Sequence, residues 1–428
     1  MISGSAQKTT EFTVAPADLQ KHCLTDENRQ RWVFIQLNTF TNWLNEQLVK
    51  TNTHIDDLST DLSDGIVLIQ IVETLQQRIC TGKIYNSDPT EIQMIMNVQM
   101  ALDALKKDGV KMVNIGAHDI VEGNLKLILG LVWCLIQHYQ IDSNAKIPAK
   151  KLMMAWLQSV LPELRLTNFR TNWNDGKALA ALLNYCQPGL CPNWKNFDSK
   201  NDLENCKMVL MLAEEYLSVP SIISPSDLSS PDLDELSTIT YLSYFMKYNG
   251  PGYQATLRQI RQLLPDIEVE DFEECWKDGF ILANLVNAVG GQVEDFERIA
   301  PAQSYSQCVS NIQKALDAAN RLGITSLVGA EDLADPKSDH LGVMALAAAL
   351  ASLLADSEVQ VTQCYQNEQV NLGLAFSEGN EVDVNDFDVV VIGPGNKTFD
   401  KNVVQLQKKL TADGAVLSVV PVEAGFHK

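Results

Sequence analysis

The sequence predicts a mainly α-helical protein: three tandem copies of one helical unit, followed by a short β-rich segment. The first observation behind this is that three sequence markers occur in the same order in each copy, which chance rarely produces. The markers are an Asp-Gly pair at Asp64, Asp175 and Asp278, an Asn at Asn97, Asn205 and Asn311, and an acidic motif at Asp119, Asp227 and Asp332. The second observation is that the helical period of apolar residues gives way to alternation beyond Glu358.

Within each copy, the Asp-Gly pair precedes an apolar stretch with the spacing of one helix face. Apolar residues stand four, seven and eight positions after the Asp, as at Leu68, Ile71 and Val72. An opening helix of the first copy is predicted by apolar residues at steps of three and four, which are Phe34, Leu37, Phe40, Leu44 and Leu48. The run from Leu127 to Ile136 is apolar on all sides, so we expect a central buried helix there.

Polar and Pro-containing stretches divide the chain into six segments. They are a loose arm at 1–27, a first unit at 28–141 (repeat 1), a linker at 142–150, a second unit at 151–249 (repeat 2), a third at 253–356 (repeat 3) and a β-rich segment at 359–428. Strands are predicted near Val370, Asp388 and Ala415. An immunoglobulin-type sandwich needs about 100 residues. We therefore expect the last segment to be an incomplete sandwich.

Charge and cysteine content exclude several functional classes. A formal net charge of −21 argues against nucleic-acid binding, which requires a basic surface. The nine cysteines are scattered, without a C-x-x-C pair, which predicts neither a disulfide framework nor a zinc site. The N-terminus lacks the apolar core of a signal peptide, and the most apolar run is too short to span a bilayer. A cytoplasmic protein without a transmembrane span is expected.

No motif predicts catalysis, a cofactor or a metal site, so we do not expect an enzyme. The sequence from Gly393 to Thr398 resembles the end of a phosphate-binding loop, but the first glycine is missing and strands flank it. The acidic residues from Asp383 to Asp388 lack the sixth-position Gly and twelfth-position acid of a calcium-binding EF-hand loop. The six histidines form no H-E-x-x-H pair, and no G-x-S-x-G turn is present.

Three stretches resemble paired calponin-homology domains of actin-binding proteins: QLNTFTNWLN from Gln36, VNIGAHDIVEGNLKLILGLVWCLI from Val113 and PGLCPNW from Pro188. The last of these, together with the tail ending VVPVEAGFHK, is similar to filamins. The resemblance implies four main helices per unit and a cytoplasmic, cytoskeleton-associated protein that binds F-actin through repeats 1 and 2. A third such unit departs from the ordinary filamin pattern.

The resemblance also implies where actin would bind. The opening helix of repeat 1 would contribute Gln36, Asn38, Thr39, Thr41, Asn42, Asn45 and Glu46. The closing segment of repeat 1 would contribute Val113, Asn114, His118, Asn124 and Lys126, and the opening helix of repeat 2 would contribute Lys151, Met154 and Gln158. Leu129, Val132 and Trp133 are expected to pack inside. We expect charged replacements at Asn42 and Asn45 to weaken filament binding without unfolding the protein.

Repeats 2 and 3 keep the same apolar anchors while their surface charge is inverted. Phe169 and Trp173 correspond to Phe272 and Trp276, which predicts core positions. Before and between the anchors, the basic and polar residues of repeat 2 become Glu268, Glu270, Asp271, Glu273 and Glu274. The resemblance makes Arg165, Arg170 and Lys177 a candidate phosphoinositide site. A solvated surface is the plainer interpretation of these three residues.

The acidic surface argues that repeat 3 is not a third equivalent actin site. An alternative function is therefore an adaptor, in which repeat 3 binds an unknown basic partner or inhibits the actin site; a spacer is also open. Microtubule binding would require a basic surface, which repeat 3 lacks. Without a dimerisation repeat, the chain is expected to bind filaments as a monomer.

Overall fold

The computed structural model describes residues 27–141, 147–198, 200–301, 304–337, 340–367, 389–393 and 417–421. Up to Gln363 the chain belongs to one compact body, and from Cys364 to a second. The first body contains the three helical repeats. The predicted arm at 1–27 lies almost wholly outside the described residues, as do positions 142–146 of the predicted linker.

Repeat 1 is built around two long helices and a central apolar helix. Its helices are α1 (Glu27–Leu48), α2 (Leu58–Asp61), α3 (Ile66–Gln76), α4 (Glu91–Lys107), α5 (Ala117–Val121) and α6 (Leu125–Leu135), continued by a π-helical turn at Ile136–Ile141. The predicted central helix is α6, which buries Leu129 and Val132 as expected. Trp133 stacks on Phe40 of α1 with 6.2 Å between ring centroids, so it also packs.

Repeats 2 and 3 follow the same order of elements. Repeat 2 contains α7 (Ala149–Val160), α8 (Lys177–Cys186), α9 (Asp202–Leu217), α10 (Pro225–Leu228) and α11 (Glu235–Met246). Repeat 3 contains α12 (Pro251–Leu263), α13 (Phe280–Ala288), α14 (Tyr305–Arg321), α15 (Ala330–Ala334) and α16 (His340–Asn367). α7 begins after Pro148, inside the segment predicted as linker, because Pro is well suited to a helix start.

The repeated Asp-Gly and Asn markers have one structural explanation. Gly65 begins α3 with φ of +78°, and a Cβ there would lie 2.6 Å from the Val98 nitrogen in α4. Asn97 on α4 donates its amide to the Asp64 carbonyl at 2.9 Å. The equivalent bonds join Asn205 to Asp175 at 3.1 Å and Asn311 to Asp278 at 3.0 Å. The markers therefore fix the contact between two helices in each repeat, and only Gly permits so close an approach.

The predicted aromatic anchors are core residues. Phe169, Trp173, Phe272 and Trp276 are all at most 3% exposed. Each indole N–H donates to the backbone carbonyl five residues earlier, at 3.1 Å for Trp173 and 2.7 Å for Trp276. This bond holds the loop that carries the inverted charges, so one scaffold supports two different surfaces.

The chain beyond repeat 3 differs in part from the prediction. α16 continues to Asn367, into the segment from 359 that we predicted to be β-rich, because no Gly or Pro interrupts it after Gly342. Strands β1 (Val389–Gly393) and β2 (Leu417–Pro421) occupy the runs near Asp388 and Ala415 and pair in parallel. The predicted strand near Val370 and the other positions of the predicted sandwich lie outside the described residues. Among the described helices, none has the length and apolar character needed to cross a bilayer.

Candidate functional site

The opening helix α1 is buried on more than its apolar face. Gln36 is 7% exposed and Thr39 is fully buried, with its hydroxyl donating to the Ile35 carbonyl at 2.8 Å. Neither residue can meet another macromolecule in this arrangement, which corrects the expectation from the sequence. The physical reason is that α1 lies between its own core and repeat 2, where it packs against α11.

The polar side of α1 is bound to repeat 2. Arg31 and Asn38 donate to the two carboxylate oxygens of Asp227, at 3.2 and 3.1 Å, and Asp227 is buried. Asn42 donates to the Ile222 carbonyl at 3.1 Å. We call these five residues the Asp227 clamp. Two of the side chains expected to contact actin, Asn38 and Asn42, thus hold repeats 1 and 2 together.

Asp227 belongs to the third repeated marker, but it differs in use from its equivalent in repeat 1. There, Asp119 accepts a bond from the Gly116 backbone N–H at 3.0 Å, which caps the start of α5. In repeat 2, the hydroxyl of Ser224 caps α10 by accepting from the Asp227 N–H at 3.1 Å. The Asp227 carboxylate is directed instead to α1.

Asn45 and Gln158 occupy equivalent positions on α1 and α7 and have equivalent structural roles. The Asn45 amide donates to the Ile55 carbonyl at 2.9 Å and accepts from its N–H at 2.8 Å. Gln158 donates to the Leu166 carbonyl at 2.7 Å. In repeat 3, Arg261 donates to the Val269 carbonyl at 2.8 Å. All three anchor the loop after the opening helix, so a charged replacement at Asn45 would disturb folding, contrary to our expectation.

The remaining predicted residues of the opening helices are more accessible. Glu46 and Lys151 are exposed, and Thr41 is half-buried. Met154 is half-buried and packs against the hydrophobic core. Of the predicted residues on α7, Lys151 and Gln158 are therefore exposed.

The five predicted residues of the closing segment of repeat 1 are all exposed. Val113 is 74% exposed, and Asn114, His118, Asn124 and Lys126 are also exposed. These residues flank α5 and the start of α6, so they follow one continuous stretch of chain. We call them the closing surface. Unlike the polar side of α1, they form no hydrogen bond or ion pair with repeat 2 in the described part of the chain.

Two apolar residues of α4 extend the closing surface and were not predicted from the sequence. Ile92 and Met96 stand four residues apart on one helix face and are 70% and 51% exposed. α4 packs against α5. Their equivalents in repeat 3 are Ser306 and Ser310, which line an open groove of about 570 Å³ between α14 and α15. Comparing the repeats at these positions would have revealed an apolar pair restricted to repeat 1.

The candidate phosphoinositide residues are not equally available. Arg165 is exposed and has a left-handed backbone with φ of +48°. Lys177 is half-buried, and its ammonium donates to the Lys195 carbonyl at 3.1 Å. Arg170 is exposed; burial raises the pKa of Asp234, and the nearby Arg170 guanidinium partly offsets that rise. Only Arg165 and Arg170 thus present exposed charge.

The acidic loop of repeat 3 is a solvated surface. Glu268, Glu270 and Glu274 are exposed, while Asp271 and Glu273 are half-buried. Arg261 donates to the carbonyls of Val269 and Glu270, so it supports the loop backbone. Within the residues that the structure describes, no group of three or more His, Cys, Asp or Glu side chains could hold a metal ion.

Fold and site together define a tandem helical-domain protein whose first two domains are closed on each other through an opening helix. The calponin homology (CH) domain model matches residues 35–141, 147–250 and 257–356. The chain belongs to the calponin homology domain family.

Relatives with known names share part of the chain. Filamin-C of Rattus norvegicus is 40% identical over 241 residues, which are 54% of this chain and 9% of that protein. Filamin-A of Drosophila melanogaster is 41% identical over 229 residues, 50% of this chain and 10% of that protein. The human spectrin beta chain, non-erythrocytic 4, is 34% identical over 229 residues, 50% of this chain and 9% of that protein. This chain thus spans about a tenth of these relatives.

Among solved structures, the actin-crosslinking core of Schizosaccharomyces pombe fimbrin is similar to 77% of this chain over 76% of its own length. The TM-score is 0.39 and the sequence identity is 20%.

Proposed function

We propose that this chain binds actin filaments through repeats 1 and 2 and organises the cytoskeleton. Family membership and the similarity to filamins and a spectrin support this proposal. The observation that carries it is the closing surface, where all five predicted residues are exposed, including the apolar Val113. Covering Val113 by a partner would remove its apolar surface from water, which favours binding.

The structure also supports an order of events. The closing surface is accessible while repeats 1 and 2 are closed, whereas Asn38 and Asn42 are held in the Asp227 clamp. Filament contact therefore begins at the closing surface, with Ile92 and Met96 as added apolar contacts. Asn38 is exposed even in the closed arrangement, so opening the clamp would free mainly the hydrogen-bonding groups of Asn38 and Asn42 that repeat 2 engages. The net charge of −21 does not oppose this, because charges beyond about 10 Å are largely screened.

Co-sedimentation of the full chain with actin filaments tests the proposal. Val113→Asp introduces a charge on the closing surface and should weaken binding about ten-fold, because it places a charge in the contact. Leu327→Asp is the matched control, since Leu327 is 46% exposed and lies in repeat 3. Equal binding by the Val113→Asp variant and the wild type would refute the closing surface as the site.

Membrane phosphoinositide is a further proposed partner of repeat 2, supported by the exposed guanidinium groups of Arg165 and Arg170. Co-flotation with vesicles containing phosphatidylinositol bisphosphate should decrease for the double variant Arg165→Ala, Arg170→Ala. Lys177→Ala should have little effect, because its ammonium is engaged by the Lys195 carbonyl. Unchanged flotation of the double variant would exclude this partner site.

We also propose that the chain acts as a monomer. At the positions of Ile92 and Met96, repeat 2 has Lys200 and Glu204 and repeat 3 has Ser306 and Ser310, so repeat 1 alone carries an apolar pair there. Bundling requires two filament sites per particle, so filaments should pellet with the protein at high centrifugal force but should not bundle at low force. The unknown partner of repeat 3 stays open as the alternative adaptor function.

A further inference from the structure

Two tryptophans at equivalent positions of the opening helices differ in their hydrogen bonding. Trp156 on α7 donates its indole N–H to the Thr256 hydroxyl of α12, in repeat 3, at 3.0 Å. Trp43 on α1 is fully buried, and its indole nitrogen has no partner among the described residues. A buried polar group without a partner disfavours the arrangement that buries it. The indole N–H is thus satisfied by repeat 3 on α7 and unsatisfied on α1.

The contact between repeats 2 and 3 is close and polar groups within it are paired. The Tyr185 hydroxyl lies 2.9 Å from the Thr256 hydroxyl, and Arg258 donates to the Cys186 carbonyl at 2.6 Å. Gly252 lies so close to the Trp156 ring that an added Cβ would be 2.6 Å from it. Burial raises the pKa of Tyr185 and of Cys186, so both side chains stay neutral at pH 7.

A second contact joins the two repeats at the far end of α11. The His340 ring nitrogen Nε2 lies 2.8 Å from the Met246 carbonyl, and the ring stacks edge-on against Tyr253 with 5.4 Å between centroids. α11 ends at Met246 and α12 begins at Pro251, so the two repeats meet without a separate linker. Bonds at both ends of this short connection restrict rotation of repeat 3 on repeat 2.

The contact between repeats 1 and 2 is less complete. The π-helical turn at Ile136–Ile141 packs against α11, and there the side-chain nitrogen of Gln140 is buried and has no partner in the described part of the chain. The Asp227 clamp depends on Arg31, whose side chain is 48% exposed and therefore accessible to water. Water can therefore solvate the Arg31 guanidinium, whereas the Asp227 carboxylate that it meets is buried while the repeats are closed.

We infer that repeats 2 and 3 form one rigid body and that repeat 1 alone separates from it. α12, the counterpart of α1, is consequently used to hold repeat 3 on repeat 2 and is withheld from filaments. Repeat 3 accompanies repeat 2 whenever repeat 1 moves. Only the unavailability of α12 to filaments rests on the proposed function. The tighter contact of repeat 2 with repeat 3 than with repeat 1 is a property of the chain without actin.

Hydrogen exchange of the full chain, without actin, tests the inference. Arg31→Ala and, more strongly, Asp227→Ala should raise exchange about ten-fold in α1 and at residues 136–141, while α8 and α12 keep their protection. Arg31→Ala is the milder of the two variants. It leaves repeat 2 unaltered, so its effect cannot come from misfolding of repeat 2. Equal loss of protection in α12, or no change in α1 for either variant, would overturn the inference.

A complementary variant tests the rigid body directly. Thr256→Val keeps the side-chain volume but removes the partner of Trp156 and Tyr185, so exchange should rise together in α7, α8 and α12. A rise confined to α12 would show that the repeats unfold independently and would overturn the inference. Ser306→Val, a surface change elsewhere in repeat 3, is the control. Absence of actin co-sedimentation would refute the proposed function and leave these exchange results unaffected.

Discussion

At the scale of single residues, the repeated markers show how much local chemistry can be predicted. The Asp-Gly pairs and the later Asn residues are visible as a spacing, and the spacing correctly indicates one fold used three times. The bond from Asn97 to the Asp64 carbonyl could not be predicted, because it depends on how closely α3 and α4 approach. Long-range contacts of this kind have no local signature in the sequence.

Gly65→Ala should destabilise the protein strongly. The substitution combines a left-handed φ of +78° with a Cβ placed 2.6 Å from backbone atoms of α4. The expected loss is about 3 kcal/mol of unfolding free energy, measured by urea denaturation. Gly189→Ala is the control, since φ is +89° but nothing lies within 4 Å, and should cost about 1 kcal/mol. Similar losses at both positions would show that close packing contributes little.

Asn45→Asp separates a structural role from a filament contact. The aspartate keeps the acceptor for the Ile55 N–H but loses the donor to the Ile55 carbonyl, so repeat 1 should lose about 1–2 kcal/mol of stability. Glu46→Gln on the neighbouring exposed position should leave stability unchanged. The urea midpoints of both variants provide the measurement. A fully stable Asn45→Asp variant would restore Asn45 as a candidate for direct filament contact.

At the scale of helices, the sequence predicted the apolar face of α1 correctly but not the role of its polar face. Phe40, Leu44 and Leu48 are fully buried, as the spacing indicates. Asn38 and Asn42 look like surface residues in the sequence, because their partners lie in repeat 2, about 180 residues away. A polar side chain bound across a domain boundary and one bound to water give the same sequence pattern. The exposed pair on α4 was missed for the opposite reason, since Ile92 and Met96 look like core residues.

Ile92→Asp combined with Met96→Asp should weaken actin co-sedimentation about five-fold or more, because it removes apolar contacts beside the closing surface. Ser306→Asp with Ser310→Asp places the same charges at the equivalent positions of repeat 3 and serves as the control. Both double variants should keep the wild-type melting temperature, since all four positions face solvent or an open groove. Equal binding by the two variants would exclude α4 from the filament surface.

At the scale of the whole molecule, the number and order of domains could be predicted, whereas their mutual contacts could not. The charge inversion between repeats 2 and 3 correctly indicated that the scaffold is shared, as the buried Phe272 and Trp276 show. It gave no indication that α12 is fixed to repeat 2 through Thr256 and Arg258. Thr and Arg at these positions are ordinary surface residues by composition. The contact of Thr256 and Arg258 with repeat 2 becomes visible only when the positions of both folded domains are known.

Truncation after Gly250 should therefore damage repeat 2 as well as remove repeat 3. Trp156 and Tyr185 would lose the Thr256 hydroxyl, and the Trp156 ring would lose its cover by Gly252. We expect a lower urea midpoint and red-shifted tryptophan emission compared with the full chain. Truncation at Asn367, after α16, keeps α12 and is the matched control. If truncation after Gly250 left both measurements unchanged, repeat 2 would be an independent domain.

The two uses of one capping aspartate have a consequence for how such a chain can evolve. When a gene segment is duplicated, each copy inherits Asp119 or its equivalent together with the local bond that this residue makes. In repeat 2, Ser224 supplies the cap, and the inherited carboxylate of Asp227 is available for Arg31 and Asn38. A joint between neighbouring domains can thus arise from a residue that was already present. A side chain that a repeat no longer needs for its own fold can thus come to hold two domains of the same chain together.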